Sequence, residues 1–429
     1  MLERTFALQE HGTTVRTELL AGLTTFMTMA YIIFVNPAIL AEAGMDRGAV
    51  FVATCLAAAF GSAMMGLYAN YPVALAPGMG LNAYFTYGVV KGMGHAWETA
   101  LGAVFLSGVL FLIVSLTGIR EWVINAVPRS LKLSIAAGIG LFLAVIGLQS
   151  AGIIAAHPVT LVTLGNLRAP GVLIAVAAFV VIAALDARKV PGAILIGILA
   201  AAAGGVALGL STFTGVLSLP PSIAPVLLKL DILKALEIGV VAIVFTFFFV
   251  DVFDNTGTLV GVAQKAGLVK PDGTLPRVQR ALTADSTAAM AGAALGTSTT
   301  TSYIESAAGV NAGGRTGLVA VTVAVLFLAA LFFAPLAGAI PVFATAPALV
   351  YVACLMMSTV ADIDFSDVTE YVPAVVVIVT MPLTFSIAHG IAFGFIAYTA
   401  IKLLAGRPGD VSPAVAVLSV LFIAKFALL

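Results

Sequence analysis

Long apolar runs, bounded by charged residues, Pro or Gly, recur along almost the whole chain. Of its 429 residues, 61% are hydrophobic and 9% are charged, whereas about a quarter of the residues in a soluble domain are charged. A soluble globular fold is therefore excluded, and so is disorder, which requires low hydrophobicity and high net charge. Because about 20 apolar residues cross a bilayer as a helix, the sequence predicts an all-α polytopic membrane protein.

Fourteen of these runs are predicted to be transmembrane segments. Their approximate ranges are 17–40, 48–68, 73–90, 98–118, 131–150, 170–185, 191–210, 236–263, 278–295, 300–312, 316–338, 343–360, 371–388 and 389–404. A further apolar helix is predicted at 412–428. Most Lys and Arg residues fall in loops on the side of the N-terminus, so the positive-inside rule predicts a multi-pass plasma-membrane protein with a cytoplasmic N-terminus.

The third and tenth segments are interrupted. Pro77, Gly78 and Gly80 break the third segment, while six consecutive hydroxyl residues, 297–302, open the tenth. Hydroxyl and β-branched residues favour extended backbone over helix. Both segments are therefore predicted to be a short strand followed by a half-helix, which is tolerated at membrane depth only where protein or a cavity surrounds it.

The two interrupted segments occupy matching places in the chain. A shift of 221 residues takes Pro77 to Ser298 and Gly88 to Gly309, and it takes the first segment onto the eighth. Each repeat then holds seven segments, and since seven is odd, the second copy is inverted in the membrane. Paired interruptions in two inverted halves are typical of a transporter's binding site.

Four polar residues follow one face of the eighth segment: Asp251, Asp254, Asn255 and Thr258. A carboxylate inside an apolar helix costs about 2.5–3.5 kcal/mol on insertion scales, so such residues usually serve an ion or a substrate. The alternative is that Asp254 and Asn255 lie near the inner interface and act as caps.

Glu305, Asn82 and Asp285 each have two interpretations. Glu305 is a candidate for substrate or proton binding, yet Ser302 to Glu305 also matches a capping box. The Asn82 amide suits the edge of a heterocycle or a bridge within the broken segment. Asp285 is expected to support the site, or to cap its helix.

Other side chains point to neither a metal nor a catalytic centre. Cys55 and Cys354 lie in apolar runs and the four histidines are scattered, so no metal, catalytic residue or cofactor is predicted. Phe26 and Tyr31 belong to a stripe of large side chains in the first segment that is expected to pack, although one aromatic residue there could stack on a flat ligand. The chain has 20 Lys and Arg against 20 Asp and Glu, which gives no basic surface for nucleic acid.

Four stretches together resemble the nucleobase–cation symporters of the nucleobase–ascorbate transporter superfamily, in particular the AzgA-like guanine/hypoxanthine/adenine permease branch. They are Thr24–Pro37, Ala76–Phe85, Asp251–Thr258 and Gly296–Ser306. The resemblance covers nearly the whole chain. Asn255 departs from it, because a smaller hydroxyl residue is expected at that position.

The resemblance implies a fold of fourteen segments in a 7+7 inverted repeat. A core would comprise 17–118 and 236–338, and a gate 119–210 and 343–404, within one transporter domain spanning 1–429. Members are commonly homodimers in the lipid bilayer. The substrate and proton carboxylates of the family match Asp251 or Asp254 and Glu305, and its polar third-segment residue matches Asn82.

The function expected on this basis is proton-coupled purine uptake by alternating access. Substrate contacts are assigned to Asp251, Glu305, Asn82, Ser302, Gly80 and Phe26. Proton coupling is assigned to Asp254, Asp251, Glu305 and Asp285. The same fold could instead carry uracil, xanthine or an anion, and sodium could replace the proton. An intramembrane enzyme is disfavoured, because Asp251 and Asp254 share one helix and no H-E-x-x-H motif occurs.

Overall fold

Each of the fourteen predicted segments has a counterpart in the computed structural model, which describes residues 2–117, 127–213, 215–269 and 275–428. Within these ranges, nine helical stretches are long and apolar enough to cross a bilayer. They are Val15–Ala41, Arg47–Ala69, Trp97–Thr117, Arg129–Ser150, Pro170–Ala187, Val240–Lys265, Gly317–Ala339, Val342–Asp362 and Ile387–Leu404.

The other five segments depart from a long apolar helix in different ways. The seventh and thirteenth are shorter apolar helices, Ala193–Ala207 and Val368–Leu383. The ninth is a continuous but more polar helix, Val278–Leu295. The third and tenth are interrupted by strands, as predicted. The C-terminal apolar stretch also forms a helix, Pro413–Leu428.

The described helices are numbered in chain order. They are α1 (Leu2–Phe6), α2 (Val15–Met29), α3 (Ile32–Ala41), α4 (Arg47–Met64), α5 (Met79–Ala83), α6 (Trp97–Thr117), α7 (Arg129–Ser150), α8 (Pro170–Ala187), α9 (Ala193–Ala207), α10 (Ile232–Ala235), α11 (Ile238–Lys265), α12 (Val278–Leu295), α13 (Ser306–Asn311), α14 (Gly317–Ala330), α15 (Ala334–Ala339), α16 (Val342–Met357), α17 (Val368–Leu383), α18 (Ile387–Leu404) and α19 (Pro413–Leu428). Two π-helical stretches, Met65–Ala69 and Tyr84–Gly92, extend α4 and α5.

Four strands form two small antiparallel ladders. The strands are β1 (Leu75–Pro77), β2 (Ile154–His157), β3 (Leu161–Leu164) and β4 (Thr300–Ser302). β2 and β3 make a hairpin between α7 and α8 that the sequence analysis did not predict. Each of its strands has only four residues, too few for alternation to stand out in so apolar a chain. β1 and β4 were expected as strands, but their pairing was not.

The chain divides into two compact units. The first comprises Met1–Leu116 and Gly147–Tyr351, and in it α14 packs against both α2 and α4. The second comprises Thr117–Ile146 and Val352–Leu429, and in it α17 packs against α18. The division into core and gate by transport role stays a prediction.

Candidate functional site

Strands β1 and β4 join the third and tenth segments at their interruptions. The register runs from Leu75 opposite Ser302 to Pro77 opposite Thr300. All six strand residues are buried. Because buried extended backbone must have its hydrogen bonds satisfied within the protein, each interruption depends on the other.

Side chains complete the hydrogen bonding at the ends of this ladder. The Tyr303 N–H donates to the Ala74 carbonyl at 3.0 Å, and the Ala74 N–H donates to Ser306 Oγ at 3.0 Å. The Tyr303 hydroxyl donates to the Pro77 carbonyl at 2.5 Å. On the other edge, Ser62 Oγ of α4 bonds the backbone of β1. The irregular backbone is thereby held in one arrangement.

Asn82 lies in α5, directly after β1, and is fully buried. Its Oδ1 accepts a hydrogen bond from Ser298 Oγ, so it bridges the two interrupted segments. Its Nδ2 is buried without a hydrogen-bond partner among the described residues. Of the two interpretations, the bridge is present, and a contact between the Asn82 amide and a heterocycle stays a prediction.

Asp285 of α12 is fully buried and holds two polar neighbours. Its Oδ1 accepts from Ser302 Oγ at 2.9 Å, and its Oδ2 accepts from Asn255 Nδ2. Asn255, the residue that departs from the expected family pattern, therefore lies beside Asp285. The network ties α11, α12 and β4 together, and a supporting role for Asp285 in transport stays a prediction.

Asp251 is 1% exposed, and neither of its carboxylate oxygens has a hydrogen-bond partner among the described residues. Its electrostatic neighbours are Asp285 and Asp254, and the Thr301 hydroxyl of β4 also acts on it. Buried polar atoms are nearly always hydrogen-bonded, so two such oxygens on one carboxylate need an explanation. Asp251 is the clearest such exception in the described part of the chain.

Glu305 does not form the capping box that its spacing allowed. It precedes α13 without a side-chain hydrogen bond to the helix, and the Ser302 hydroxyl donates to Asp285 instead. Its Oε1 accepts a hydrogen bond from the Tyr31 hydroxyl at 2.6 Å. The side chain is half-buried, which leaves part of the carboxylate accessible.

The remaining predicted site residues lie in different surroundings. Asp254 is exposed, and it acts electrostatically on both Asp251 and Glu305. Gly80 lies in the first turn of α5, whose N–H groups have no partner within the helix. Phe26 packs edge-on against Phe327 with ring centroids 5.2 Å apart. Its stacking role stays a prediction.

The site contains several carboxylates and little positive charge. Within the described residues, no Lys or Arg lies at ion-pair distance from Asp251, Asp254 or Glu305. Asp254 acts electrostatically on both Asp251 and Glu305, so like charges lie near one another here without a cation to balance them.

Three residues near the site were missed by sequence reasoning. Tyr31 was assigned to packing, Ser298 was only one of a hydroxyl run, and Asn36 was not singled out. Asn36 Nδ2 donates to Thr54 Oγ1 at 2.7 Å and to Thr297 Oγ1 at 2.8 Å, which fixes the start of the hydroxyl run. A buried amide or phenol in an apolar helix was the available signal.

Two interrupted segments that pair at their breaks are typical of transporters built from inverted repeats, and this chain has the features of that class. Residues 16–393 match the permease family Xan_ur_permease, and the chain belongs to that family. Such a family transports its substrates and does not transform them, so the chain is not an enzyme.

Relatives and solved structures agree with this assignment. The chain is 49% identical over 425 residues to the adenine permease AdeP of Escherichia coli, covering 99% of this chain and 96% of the relative. It is 47% identical over 432 residues to the guanine/hypoxanthine permease PbuO of Bacillus subtilis, covering 99% and 100%. The transmembrane domain of a cyanobacterium bicarbonate transporter, BicA, is similar with a TM-score of 0.66 at 16% identity, covering 88% of this chain and 96% of that one. This likeness shows the fold, the 7+7 inverted repeat.

Proposed function

We propose that this permease takes up purine nucleobases of the hypoxanthine, guanine and adenine type, that it couples their uptake to protons, and that it works by alternating access. The names of two full-length relatives support the substrate class. The observation that carries the proposal is the pair of buried Asp251 oxygens without a hydrogen-bond partner among the described residues, which lie within reach of Thr301 in the paired strand β4.

The chemistry of a purine complements these groups. Its ring edge presents N–H donors beside nitrogen or oxygen acceptors. The Asp251 carboxylate accepts two parallel N–H bonds, which are strengthened by its charge. Asn82 Nδ2 supplies a donor to a ring acceptor, and the first-turn N–H groups around Gly80 supply more. Glu305 and Ser302 contribute the opposite edge of the site, and Phe26 covers a face of the base.

Proton coupling follows from the crowding of acidic groups. Asp251, Asp254 and Glu305 lack an ion-pair partner in the described residues, so adding a proton relieves their repulsion. Asp285 is the fourth acidic group assigned to coupling, and it accepts hydrogen bonds from Asn255 and Ser302. Protonation of Asp254 or Asp251 neutralises the loaded site, and this neutralisation permits the change of access.

The substrate proposal is tested by uptake of labelled hypoxanthine and adenine into proteoliposomes. Asp251→Asn and Glu305→Gln are each expected to reduce initial uptake at least tenfold, since a hydrogen bond to a charged group contributes about 1.5–3 kcal/mol. Glu10→Gln, an exposed carboxylate outside the site, is the matched control and retains wild-type uptake. Wild-type uptake by either site variant would contradict the assignment of that residue.

The coupling proposal is tested in the same vesicles with an imposed pH gradient. Uptake is expected to rise with an inward proton gradient and to collapse when a protonophore is added. A sodium gradient at constant pH should have no effect. Uptake that follows sodium and ignores the protonophore would replace the proton with sodium.

The alternative cargoes are separated by competition. An excess of unlabelled guanine should block hypoxanthine uptake, whereas uracil, xanthine and sulfate should not. The acidic site disfavours an anion, because three carboxylates repel it. Block by uracil or sulfate alone would favour the corresponding alternative.

Orientation and assembly complete the proposal. A cytoplasmic N-terminus is supported by the distribution of Lys and Arg. Labelling of an introduced cysteine near Thr13 from one side of the membrane tests it. A homodimer is expected, and light scattering of the detergent-solubilised protein tests that expectation.

A further inference from the structure

We infer that Tyr31 is a positioning residue of the substrate site, which acts by holding one oxygen of Glu305 so that the other faces the ligand. The inference rests on the proposed function for Glu305 and adds a residue to it. Tyr31 lies between α2 and α3, in the short break that Ala30 and Tyr31 make in the first segment.

The hydrogen bond is specific and buried on the tyrosine side. The Tyr31 side chain is 1% exposed, and its hydroxyl donates to Glu305 Oε1 at 2.6 Å. A buried tyrosine hydroxyl needs a partner, and a carboxylate is a strong one. Because Tyr31 engages Oε1, the orientation of the carboxylate is set, and Oε2 is the oxygen directed to a ligand.

The backbone around Glu305 packs closely against α2, the helix that precedes Tyr31. A Cβ on Gly309 would lie 2.1 Å from Thr25 Oγ1 and 2.6 Å from the Ala21 carbonyl, so α13 approaches α2 too closely for any side chain there. Thr28 Oγ1 also lies 3.4 Å from the Glu305 carbonyl. Because α2 fixes the position of the backbone, the rotation of the Glu305 side chain is what remains to be set. The Tyr31 hydroxyl sets it through its hydrogen bond to the carboxylate.

This role differs from packing, because it depends on one oxygen atom. Tyr31→Phe keeps the ring and its burial and removes only the donor. Losing the preset orientation is expected to raise the Kd for hypoxanthine about fivefold, because the freed carboxylate must then be ordered when the ligand binds. The maximal uptake rate should change less than KM, since the residue acts on binding.

A second tyrosine–carboxylate pair supplies a matched control. The Tyr351 hydroxyl donates to Asp186 Oδ2 at 2.5 Å, and this pair joins α16 to α8, outside the two interrupted segments. Tyr351→Phe removes the same atom from a similar pair and should leave the Kd within twofold of wild type. Thermal unfolding without ligand should show that both variants remain folded well above the temperature of the binding measurement, which separates positioning from a loss of folding.

The experiment is a double-mutant cycle of hypoxanthine binding to the detergent-solubilised full chain, with Tyr31→Phe, Glu305→Ala and the double variant. Alanine removes the oxygen that accepts from Tyr31, so if Tyr31 acts through Glu305, adding Tyr31→Phe to Glu305→Ala leaves the Kd unchanged. An unchanged Kd in Tyr31→Phe alone, or a further fivefold loss in the double variant, would overturn the inference. A wild-type Kd in Glu305→Ala would instead count against the proposed site itself.

Discussion

Pro77 of the third segment lies opposite Thr300 of the tenth, in a ladder three residue pairs long. The ladder extends one step further, because the Gly78 N–H donates to the Thr299 carbonyl at 2.8 Å. Proline lacks an N–H group, so it is tolerated here only at a position that donates nothing to the partner strand. The two breaks are thereby joined by backbone as well as by Asn82 and Ser298, and a change that displaces β4 should disturb both.

Gly292→Ala is expected to displace β4. A Cβ on this residue of α12 would lie 2.4 Å from Thr300 Oγ1 and 3.2 Å from the Ser298 carbonyl. The substitution gains about 1 kcal/mol of helix propensity, but overpacking costs typically 1–3 kcal/mol and here also moves the site. Uptake should fall at least fivefold and the unfolding midpoint should not rise.

The control for this prediction is Gly338→Ala in α15, where nothing lies within 4 Å of the added Cβ. Only the gain in helix propensity acts there, so the unfolding midpoint should stay equal or rise and uptake should be retained. If Gly292→Ala behaved like Gly338→Ala, β4 would not be held by contact with α12.

Asp285→Ala should destabilise the protein by leaving two buried donors, Ser302 Oγ and Asn255 Nδ2, without their acceptor. Each unsatisfied group costs about 1–3 kcal/mol. Adding Asn255→Ala removes one of these donors, so the double variant should be less destabilised than the sum of the single variants. Denaturation of all four proteins in one detergent measures this coupling, and strict additivity would argue against the network.

Much of the fold could be predicted from the sequence because a bilayer limits the available structures. Backbone polar groups must be satisfied inside each segment, so apolar runs become helices and their lengths follow bilayer thickness. The interruptions could be predicted as well, because Pro77 and the run of hydroxyl residues both disfavour a helix. Asp251 and Glu305 stood out because an ionisable group in such a segment is costly.

Contacts between residues that are far apart in the sequence could not be predicted. The spacing of Ser302 and Glu305 fits a capping box, yet Ser302 lies in β4 and α13 begins only at Ser306. The Ser302 hydroxyl is therefore directed to Asp285, and Glu305 is met by Tyr31. The spacing of residues within a segment predicts contacts along one helix. The contacts of Ser302 and Glu305 depend instead on which segments become neighbours in the fold.

Asp367, which precedes α17, should make stability depend on pH at the acidic end. The Thr369 hydroxyl and N–H donate to its Oδ1, and Arg407 donates to Oδ2, which together lower the pKa of Asp367 to about 2. An unperturbed Asp has a pKa of about 3.9. The charged form is favoured by folding, so its contribution is complete above about pH 4 and is lost as pH falls toward 2.

Asp367→Asn tests this directly. The variant should have a lower unfolding midpoint than wild type at pH 7, and the difference should shrink as pH falls from 4 to 2. Asp362→Asn, an exposed carboxylate just before it in the chain, is the control and should follow wild type throughout. A gap that stays constant with pH would show that the charge of Asp367 contributes nothing.

Asp251→Asn should raise stability while it abolishes transport. The carboxylate is 1% exposed with both oxygens unpartnered in the described residues, so at pH 8 its charge is a cost to the empty protein. Removing the charge relieves desolvation and the repulsion from Asp254 and Asp285, and the unfolding midpoint is expected to rise by a few degrees.

Asp254→Asn, one turn along the same helix and exposed, should leave the midpoint nearly unchanged. Functional groups are commonly retained at such a cost in stability. A lower midpoint in Asp251→Asn would mean that the native carboxylate is stabilised by its surroundings, and its unpartnered oxygens would then no longer point to a substrate.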